Sequence, residues 1–306
     1  METPTIETRF LSLDSRFTCD GDSVVEVLHQ GSRKSEGPVY LPAGRFLIWS
    51  DIPSSRLMRW DEVTNSVGVF RHDSGYANGN TIDMSGRVIT CEQGNRRVTR
   101  TEHDGRITIL ADRYRGRRLN SPNDVVVRSD GTIWFTDPSY GIDSDYEGTA
   151  GENEIGGCFV FRLDPRTGSL RVVADDFVRP NGLAFSPDET HLYIVDTRQE
   201  PSHVRRFVVE ADGTLSDGAI FATCNFGKFD GIRFDDAGRL WAAAWDGLHC
   251  FATDGQLIGK LLLPEPAANL TFGGQKRNHL FITAGRSIYT LRVNFCGARP
   301  LGRSGD

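Results

Sequence analysis

Six copies of one pattern run through the chain, and this internal repeat constrains the fold more than any other feature of the sequence. Each copy reads as a polar residue, a short apolar strand, a turn and a second apolar strand, and successive copies start about 40 to 60 residues apart. The copies begin at Glu36, Asn78, Asn123, Asn181, Asp230 and Asn269. Further strands follow in most copies, so each unit has about four strands. A repeat of this length and strand content predicts a six-bladed β-propeller.

The last copy shows only three strands, which end near Leu291 to Phe295. A closed ring needs a fourth, and Val24 to Leu28 or an earlier N-terminal strand could supply it and remove a free sheet edge. The sequence therefore predicts an all-β fold, a six-bladed propeller of four-stranded antiparallel blades closed by an N-terminal strand. We expect residues 1–306 to form a single domain.

Composition narrows the range of partners. The 306 residues carry a formal net charge of −6, and no basic face stands out, so we expect no nucleic acid partner. No stretch approaches the roughly 18 apolar residues of a membrane span, and Met1 to Asp14 lack the apolar core of a secretory signal. The six cysteines are widely spaced, with no CxxC motif. We expect a cytoplasmic protein with reduced thiols; its oligomeric state cannot be read from the sequence.

The first residues of the six copies are candidates for a functional ring, because the first strand of each blade lines the axis of a propeller. All six positions carry side-chain oxygens, two from carboxylates and four from amides. Such oxygens suit Ca²⁺, Mg²⁺ or Mn²⁺ better than thiolates or imidazoles would. The alternative is that Asn or Asp before Gly marks a turn. Glu36 is a poor turn residue, which favours the ring.

Phrases around these positions resemble the gluconolactonase, regucalcin (senescence marker protein) and luciferin-regenerating enzyme family. The resemblance covers nearly the whole chain and is carried by Ser-Glu-Gly-Pro-Val-Tyr (35–40), Ser-Pro-Asn-Asp-Val (121–125), Arg-Pro-Asn-Gly-Leu-Ala-Phe-Ser-Pro-Asp (179–188) and Phe-Asp-Gly-Ile-Arg-Phe-Asp (229–235). Trp-Phe-Thr-Asp-Pro-Ser-Tyr-Gly (134–141) makes bacterial gluconolactonase-like members the nearest match. Ser-Pro precedes Asn123, where animal regucalcins usually have an Arg that contacts substrate.

The resemblance implies a metal-dependent hydrolase that opens sugar lactones. It implies that Glu36, Asn123, Asn181 and Asp230 hold one divalent cation. Ca²⁺ is the expected ion, with Mg²⁺, Mn²⁺ and Zn²⁺ as alternatives. We expect the cation to polarise the lactone carbonyl and Asp230 to act as general base. Asn123 would also position the substrate.

Two other functions are compatible with the same residues. A cation above a ring of oxygens could equally polarise a phosphotriester, and a propeller with such a ring could be a non-catalytic calcium-binding or interaction protein. The ring also does not specify which sugar lactone is opened. A small-molecule sugar lactone nevertheless remains the expected partner.

A second group of acidic residues is expected around the ring, at the ends of the second strands on the same face. Its members are Asp51, Glu92, Asp137, Asp196 and Asp246. They either cap strand ends and turn amides, or contact substrate and orient the ring. From this group and the ring, we predict that Glu92 and Asn78 bind substrate.

The segment 137–157 makes the third copy the longest and is rich in Gly, Asp and Glu. It joins two strands at the face of the ring, so it is predicted to form a lid, with Tyr140 or Tyr146 facing the substrate. Aromatic faces pack well against the C–H surfaces of sugars. Tyr140 is our candidate substrate contact, and a disordered acidic loop is the alternative.

Overall fold

A computed structural model describes residues 4–299 and confirms the predicted propeller of six antiparallel blades. The strands of the first three blades are Ser35–Leu41, Phe46–Asp51, Arg56–Asp61 and Ser66–Arg71 in blade 1; Ala77–Ile82, Val88–Glu92, Arg97–Thr101 and Ile107–Ala111 in blade 2; and Val125–Val127, Ile133–Asp137, Phe159–Asp164 and Ser169–Ala174 in blade 3. Those of the other three are Pro180–Phe185, His191–Asp196, His203–Val209 and Leu215–Thr223 in blade 4; Ile232–Phe234, Leu240–Ala244, Gly247–Phe251 and Leu257–Leu262 in blade 5; and Ala267–Gly273, His279–Ala284 and Ser287–Arg292 in blade 6.

The N-terminal segment closes the ring, as predicted, and also extends it. Val24–Gln30 pairs with Ser287–Arg292 and supplies the fourth strand of blade 6. Thr5–Glu7 then pairs with Val24–Gln30, and Phe10–Ser12 pairs with the outer strand of blade 5. Blades 5 and 6 therefore each have five strands rather than four. That residues 1–306 form one domain stays a prediction.

Elements outside the blades are short. They are a 3-10 turn at Ile52–Ser54, a helical turn at Tyr140–Asp143 and a two-stranded hairpin of Arg113–Tyr114 and Arg117–Arg118. In the described part of the chain, no helix has the length and apolar character needed to cross a membrane. All six cysteines, which lie within the same part, are free.

The core lies between the blades, where the second strands carry the most apolar side chains. These strands are covered on both faces, so they read as near-continuous apolar runs, as in Leu240–Ala244. Trp49, Trp134 and Trp241 occupy equivalent second strands in blades 1, 3 and 5 and are fully buried. Large indole side chains fill the widening space between twisted sheets, and their burial is a major source of stability.

The turn between the first and second strands contains a left-handed residue in every copy. Gly131 and Gly238 adopt φ values of 84° and 75°. Glu189 and Arg277 take the same conformation, at 56° and 57°, in the two copies that lack this glycine. In blade 1 the residue is Arg45, one position after the expected glycine, with φ of 50°. The turn geometry is therefore kept even where its usual residue is absent.

Candidate active site at the propeller axis

The six ring residues all lie at one end of the inner strands. Five of them are buried, and Asp230 is half-buried. Asn78 lies within the strand Ala77–Ile82 and Asn181 within Pro180–Phe185, so neither is a turn residue. The sequence pattern thus located a structural ring correctly, while the functions assigned to its members stay predictions.

Glycine follows the ring residue in four copies because neighbouring inner strands approach closely. A Cβ atom on Gly79 would lie 2.5 Å from the carbonyl oxygen of Asn123, and one on Gly182 would lie 2.3 Å from that of Asp230. The N–H of Gly79 instead donates a 2.7 Å hydrogen bond to Asn123. These contacts explain the Asn-Gly pairs without a turn, and they fix the backbone of each ring residue against the next blade.

The two ring carboxylates lie close enough to destabilise each other's ionised form. Burial raises the pKa of Glu36 to about 7, against the opposing effect of the Gly37 N–H, which donates to its carboxylate over 2.5 Å. Burial also raises the pKa of Asp230 well above its usual range, and the charge of Glu36 raises it further. The charge of Asp124, next to the ring, adds to both shifts. The axis is therefore a site of concentrated negative charge.

The four ring amides differ in what their side chains contact. The Oδ1 of Asn269 accepts the N–H of Leu270 at 2.9 Å, and its Nδ2 lies 3.3 Å from a carboxylate oxygen of Glu36. The Nδ2 of Asn78 donates to Gln93 at 3.3 Å, which leaves its Oδ1 without a protein donor within the described chain. The side chains of Asn123 and Asn181 make no hydrogen bond to any residue between 4 and 299. Asn269 thus orients Glu36, whereas Asn123 and Asn181 are available to a ligand.

This donor set fits a hard divalent cation. Carboxylate and amide oxygens are the ligands that Ca²⁺ and Mg²⁺ prefer, and a cation would offset the repulsion between Glu36 and Asp230. Asn123 and Asn181 could add two neutral oxygens. No group of three or more His, Cys, Asp or Glu side chains within residues 4–299 could hold a metal ion, so a site here must include amides.

Asp124 and Arg233 form an ion pair beside the ring. Asp124 of blade 3 is buried, and a guanidinium nitrogen of Arg233 from blade 5 lies 3.3 Å from its carboxylate. Towards the opposite end of the channel, the inner strands surround a cavity of about 190 Å³. Asp124 occupies the position that is glycine in four other copies. Sequence analysis missed it, although this departure from the repeat was visible.

Three members of the second acidic group hold the segments that lead into the ring. Asp51 accepts the backbone N–H groups of Arg33 and Lys34, at 2.8 and 3.3 Å. Asp137 accepts the backbone N–H groups of residues 120 and 121, both at 2.8 Å. Asp196 accepts those of residues 178 and 179, at 2.8 and 3.0 Å. In each case the two N–H groups stand three and two positions before the ring residue. These carboxylates lie at the predicted face and bind backbone amides.

The other two members of the group have different partners. The buried carboxylate of Glu92 contacts Arg71 at 3.0 Å and Arg97 at 2.7 Å, and it also accepts hydrogen bonds from two polar side chains. Asp246 pairs with Lys260 and His249, at 2.8 and 2.6 Å. These contacts favour a structural role for Glu92 rather than contact with substrate. The neighbouring Gln93, which the sequence did not single out, is the residue that bonds to Asn78.

The long loop of blade 3 lies beside the ring. The pKa of Tyr140 is raised to about 12, mainly by burial and also by the charge of Asp230, which places the phenol near that carboxylate. The Tyr140 hydroxyl is buried and has no hydrogen-bond partner within 3.5 Å among residues 4–299, although the Thr197 hydroxyl is near enough to lower its pKa. The Arg179 guanidinium lies 5.0 Å from the centre of the ring of Tyr140. Tyr146 is 55% exposed, so Tyr140 is the better candidate of the two.

Two charged residues near the ring come from segments far apart in the sequence. The ammonium of Lys34 lies 2.5 Å from a carboxylate oxygen of Glu147 in the same long loop. Burial lowers the pKa of Lys34, but Glu147, Asp230 and Glu36 together raise it above its usual value. Sequence analysis missed both residues; the available signal was that Lys34 stands two positions before Glu36.

Comparison with known proteins places these features in a family. A family model described as SMP-30/Gluconolactonase/LRE-like region matches residues 34–286. A gluconolactonase from Zymomonas mobilis is 30% identical over 302 residues, which cover 91% of this chain and 83% of that protein. A pentonolactonase from Haloferax volcanii is 29% identical over 275 residues, which cover 85% and 84% of the two chains.

A solved structure is similar along almost the entire length. It is that of a gluconolactonase from Xanthomonas campestris, which is 36% identical and superposes with a TM-score of 0.89. The match covers 96% of this chain and 98% of that one. The similarity therefore extends over all six blades and is not limited to the ring.

Proposed function

Because this chain belongs to the SMP-30/gluconolactonase/LRE-like family and is a lactonase, we propose that it hydrolyses sugar lactones with the help of one divalent cation at the propeller axis. The observation that carries the proposal is the convergence of a buried carboxylate, Glu36, and a half-buried one, Asp230, with two amides that have no other partner in the described chain. Relatives named for gluconolactones and pentonolactones support a sugar lactone as the substrate class.

The cation would be held by Glu36, Asn123, Asn181 and Asp230. Ca²⁺ is the ion we propose, because two carboxylates with neutral amides match its preference for oxygen ligands; Mg²⁺, Mn²⁺ and Zn²⁺ are alternatives. When bound, the cation supplies Lewis-acid polarisation of the lactone carbonyl and stabilises negative charge on its oxygen. Asn269 contributes by holding the Glu36 carboxylate through its Nδ2.

Asp230 acts as the general base in this proposal. It is the less buried of the two ring carboxylates, so one of its oxygens can face a water molecule at the mouth of the channel. One of its oxygens would stay on the cation while the other accepts the proton of the attacking water. Water attacks the carbonyl carbon and its proton passes to Asp230. The ring C–O bond then breaks, and Asp230 returns the proton to the leaving ring oxygen to give the hydroxy acid.

Substrate contacts come from groups around the ring. Asn123 and Asn78 would offer amide oxygens to the substrate, and Tyr140 would offer a hydroxyl that has no partner within 3.5 Å in residues 4–299. The aromatic ring of Tyr140 can also pack against the C–H face of a sugar. A cytoplasmic location, expected from the sequence, is part of the same proposal.

The test is a pair of isosteric variants assayed with D-glucono-δ-lactone and added Ca²⁺. Asp230→Asn removes the base and Glu36→Gln removes one anionic ligand, so we expect each to lower kcat by at least about 100-fold. Full activity in both variants would end this mechanism. Comparing a sugar lactone with a fluorophosphate separates lactone hydrolysis from phosphotriester hydrolysis, and metal-dependent turnover of any lactone excludes a purely binding propeller.

A further inference from the structure

Lys34 and Glu147 meet beside the ring although they come from blades 1 and 3, which are not neighbours. Lys34 precedes the inner strand of blade 1, and Glu147 lies in the long loop between the second and third strands of blade 3. Their side chains form an ion pair with an N–O distance of 2.5 Å. The Lys34 side chain is 39% exposed and that of Glu147 is 18% exposed, so the pair is accessible from the mouth.

The charges of Lys34 and Glu147 interact with the carboxylates of the ring. The carboxylates of Asp230 and Glu36 both interact with the Lys34 ammonium, and the charge of Glu147 in turn acts on Asp230. Gln93 links the loop to the ring, because its Nε2 donates to the carbonyl oxygen of Glu147 at 3.2 Å and its Oε1 accepts from Asn78 at 3.3 Å. The pair therefore has a fixed position next to the ring.

We propose that Lys34 and Glu147 together recognise hydroxyl groups on the lactone ring and so determine specificity for polyhydroxylated lactones. The inference rests on the proposed lactone hydrolysis and adds the residues that select the substrate. An ammonium donates to a hydroxyl oxygen, and an adjacent carboxylate accepts a hydroxyl proton, so the pair matches hydroxyl groups on neighbouring carbons.

The same pair disfavours a lactone without hydroxyl groups. Such a ring would displace water from the mouth and offer no hydrogen bond to either charged group. A site built to bond a substrate hydroxyl discriminates strongly against an analogue that lacks it. Lys34 and Glu147 would still pair with each other, but their remaining donor and acceptor atoms would lose hydrogen bonds to water without replacement. Lys34 and Glu147 would thus form hydrogen bonds with the side of the substrate that lies away from the carbonyl.

The experiment compares D-glucono-δ-lactone with δ-valerolactone, which has the same six-membered lactone ring and no hydroxyl groups. Lys34→Met and Glu147→Gln are assayed at saturating Ca²⁺, so that changes in cation affinity do not enter. We expect the ratio of kcat/KM for the sugar lactone to kcat/KM for δ-valerolactone to fall at least about tenfold in each variant. Arg33→Met and Glu152→Gln alter exposed charges in the same two segments and should keep the wild-type ratio.

A binding measurement makes the result independent of turnover. 1,5-Anhydro-D-glucitol carries the ring hydroxyl groups but no carbonyl, and its Kd, measured by calorimetry, should rise at least about fivefold in both variants. An unchanged substrate ratio together with an unchanged Kd would overturn the inference while leaving lactone hydrolysis intact. If the wild-type protein opens neither lactone, the proposed function fails, and the inference fails with it.

Discussion

The Nδ2 of Asn269 lies 3.3 Å from a carboxylate oxygen of Glu36, so the last and first blades meet through two ring residues. The orientation of the amide is fixed, because its Oδ1 accepts the N–H of Leu270 and only its nitrogen can face the carboxylate. The Oε2 atom of Glu36 thereby accepts two hydrogen bonds, one from the N–H of Gly37 and one from the Nδ2 of Asn269.

Asn269→Leu should weaken cation binding without unfolding the protein. Leucine fills a similar volume but cannot orient Glu36, and loss of a group that holds a metal ligand typically costs about 10-fold or more in affinity. Calorimetric titration with Ca²⁺ measures the effect. Asn278→Leu, at the opposite end of the same blade, is the matched control and should bind like the wild type. Equal affinities in both variants would show that Asn269 has no part in the site.

Tyr140→Phe should raise KM for the sugar lactone while leaving the protein at least as stable as the wild type. The Tyr140 hydroxyl is buried and has no hydrogen-bond partner within 3.5 Å in the described chain, so removing it relieves a desolvation cost. The ring and its contact with Arg179 are kept. We expect KM to rise about five- to tenfold, which corresponds to one hydrogen bond to the substrate. Tyr146→Phe is the control, and a loss of stability in Tyr140→Phe would indicate a structural hydroxyl instead.

Asp137→Asn should destabilise the protein. The carboxylate accepts two buried N–H groups, from Asn120 and Ser121, and an amide can accept only one of them while its own NH₂ group faces the other. We expect a loss of about 1 to 3 kcal/mol in the free energy of unfolding, measured by urea denaturation. Asp145→Asn, which alters an exposed acceptor for the N–H of Ala150, should lose less than about 0.5 kcal/mol.

Acidification should weaken the fold through His279. Its pKa is lowered to about 4, mainly by burial and also by the charge of Arg292, while Glu62 and Asp22 act in the opposite direction. Below the ordinary histidine pKa the unfolded chain binds a proton that the folded protein does not, so stability falls as the pH drops from about 6.5 towards 4. This one residue should remove about 2 kcal/mol between pH 7 and pH 5.

The measurement for His279 compares urea denaturation at the two pH values. His279→Phe removes the titrating group and keeps an aromatic ring beside Phe281, whose ring centre lies 4.3 Å from that of His279. The variant should therefore lose less stability on acidification than the wild type does. His103→Phe, at an exposed position, should retain the full pH dependence. An identical pH dependence in His279→Phe and the wild type would refute the assignment.

The repeat was sufficient to predict the blades and the ring, because equivalent positions in a closed propeller must lie around one axis. Glu36 and Asp230 could thus be brought together from spacing alone. Lys34 and Glu147 could not, since their contact depends on the path of a loop whose composition carries no periodic signal. The position of Asp137 was predicted, and turn amides were one of its two expected kinds of partner, but Asn120 and Ser121 could not be named because backbone N–H groups are common to almost all residues.

The pairing of Val24–Gln30 with Ser287–Arg292 has a consequence for synthesis of the protein. The two strands leave the ribosome roughly 260 residues apart, so at ordinary rates of translation the first waits roughly 10 to 50 seconds for the second. During that interval its backbone donors and acceptors are exposed as an open edge, which is the kind of surface that chaperones shield and that other chains can join. Closure of the propeller is thus a late event, completed only after the strand Ser287–Arg292 has emerged.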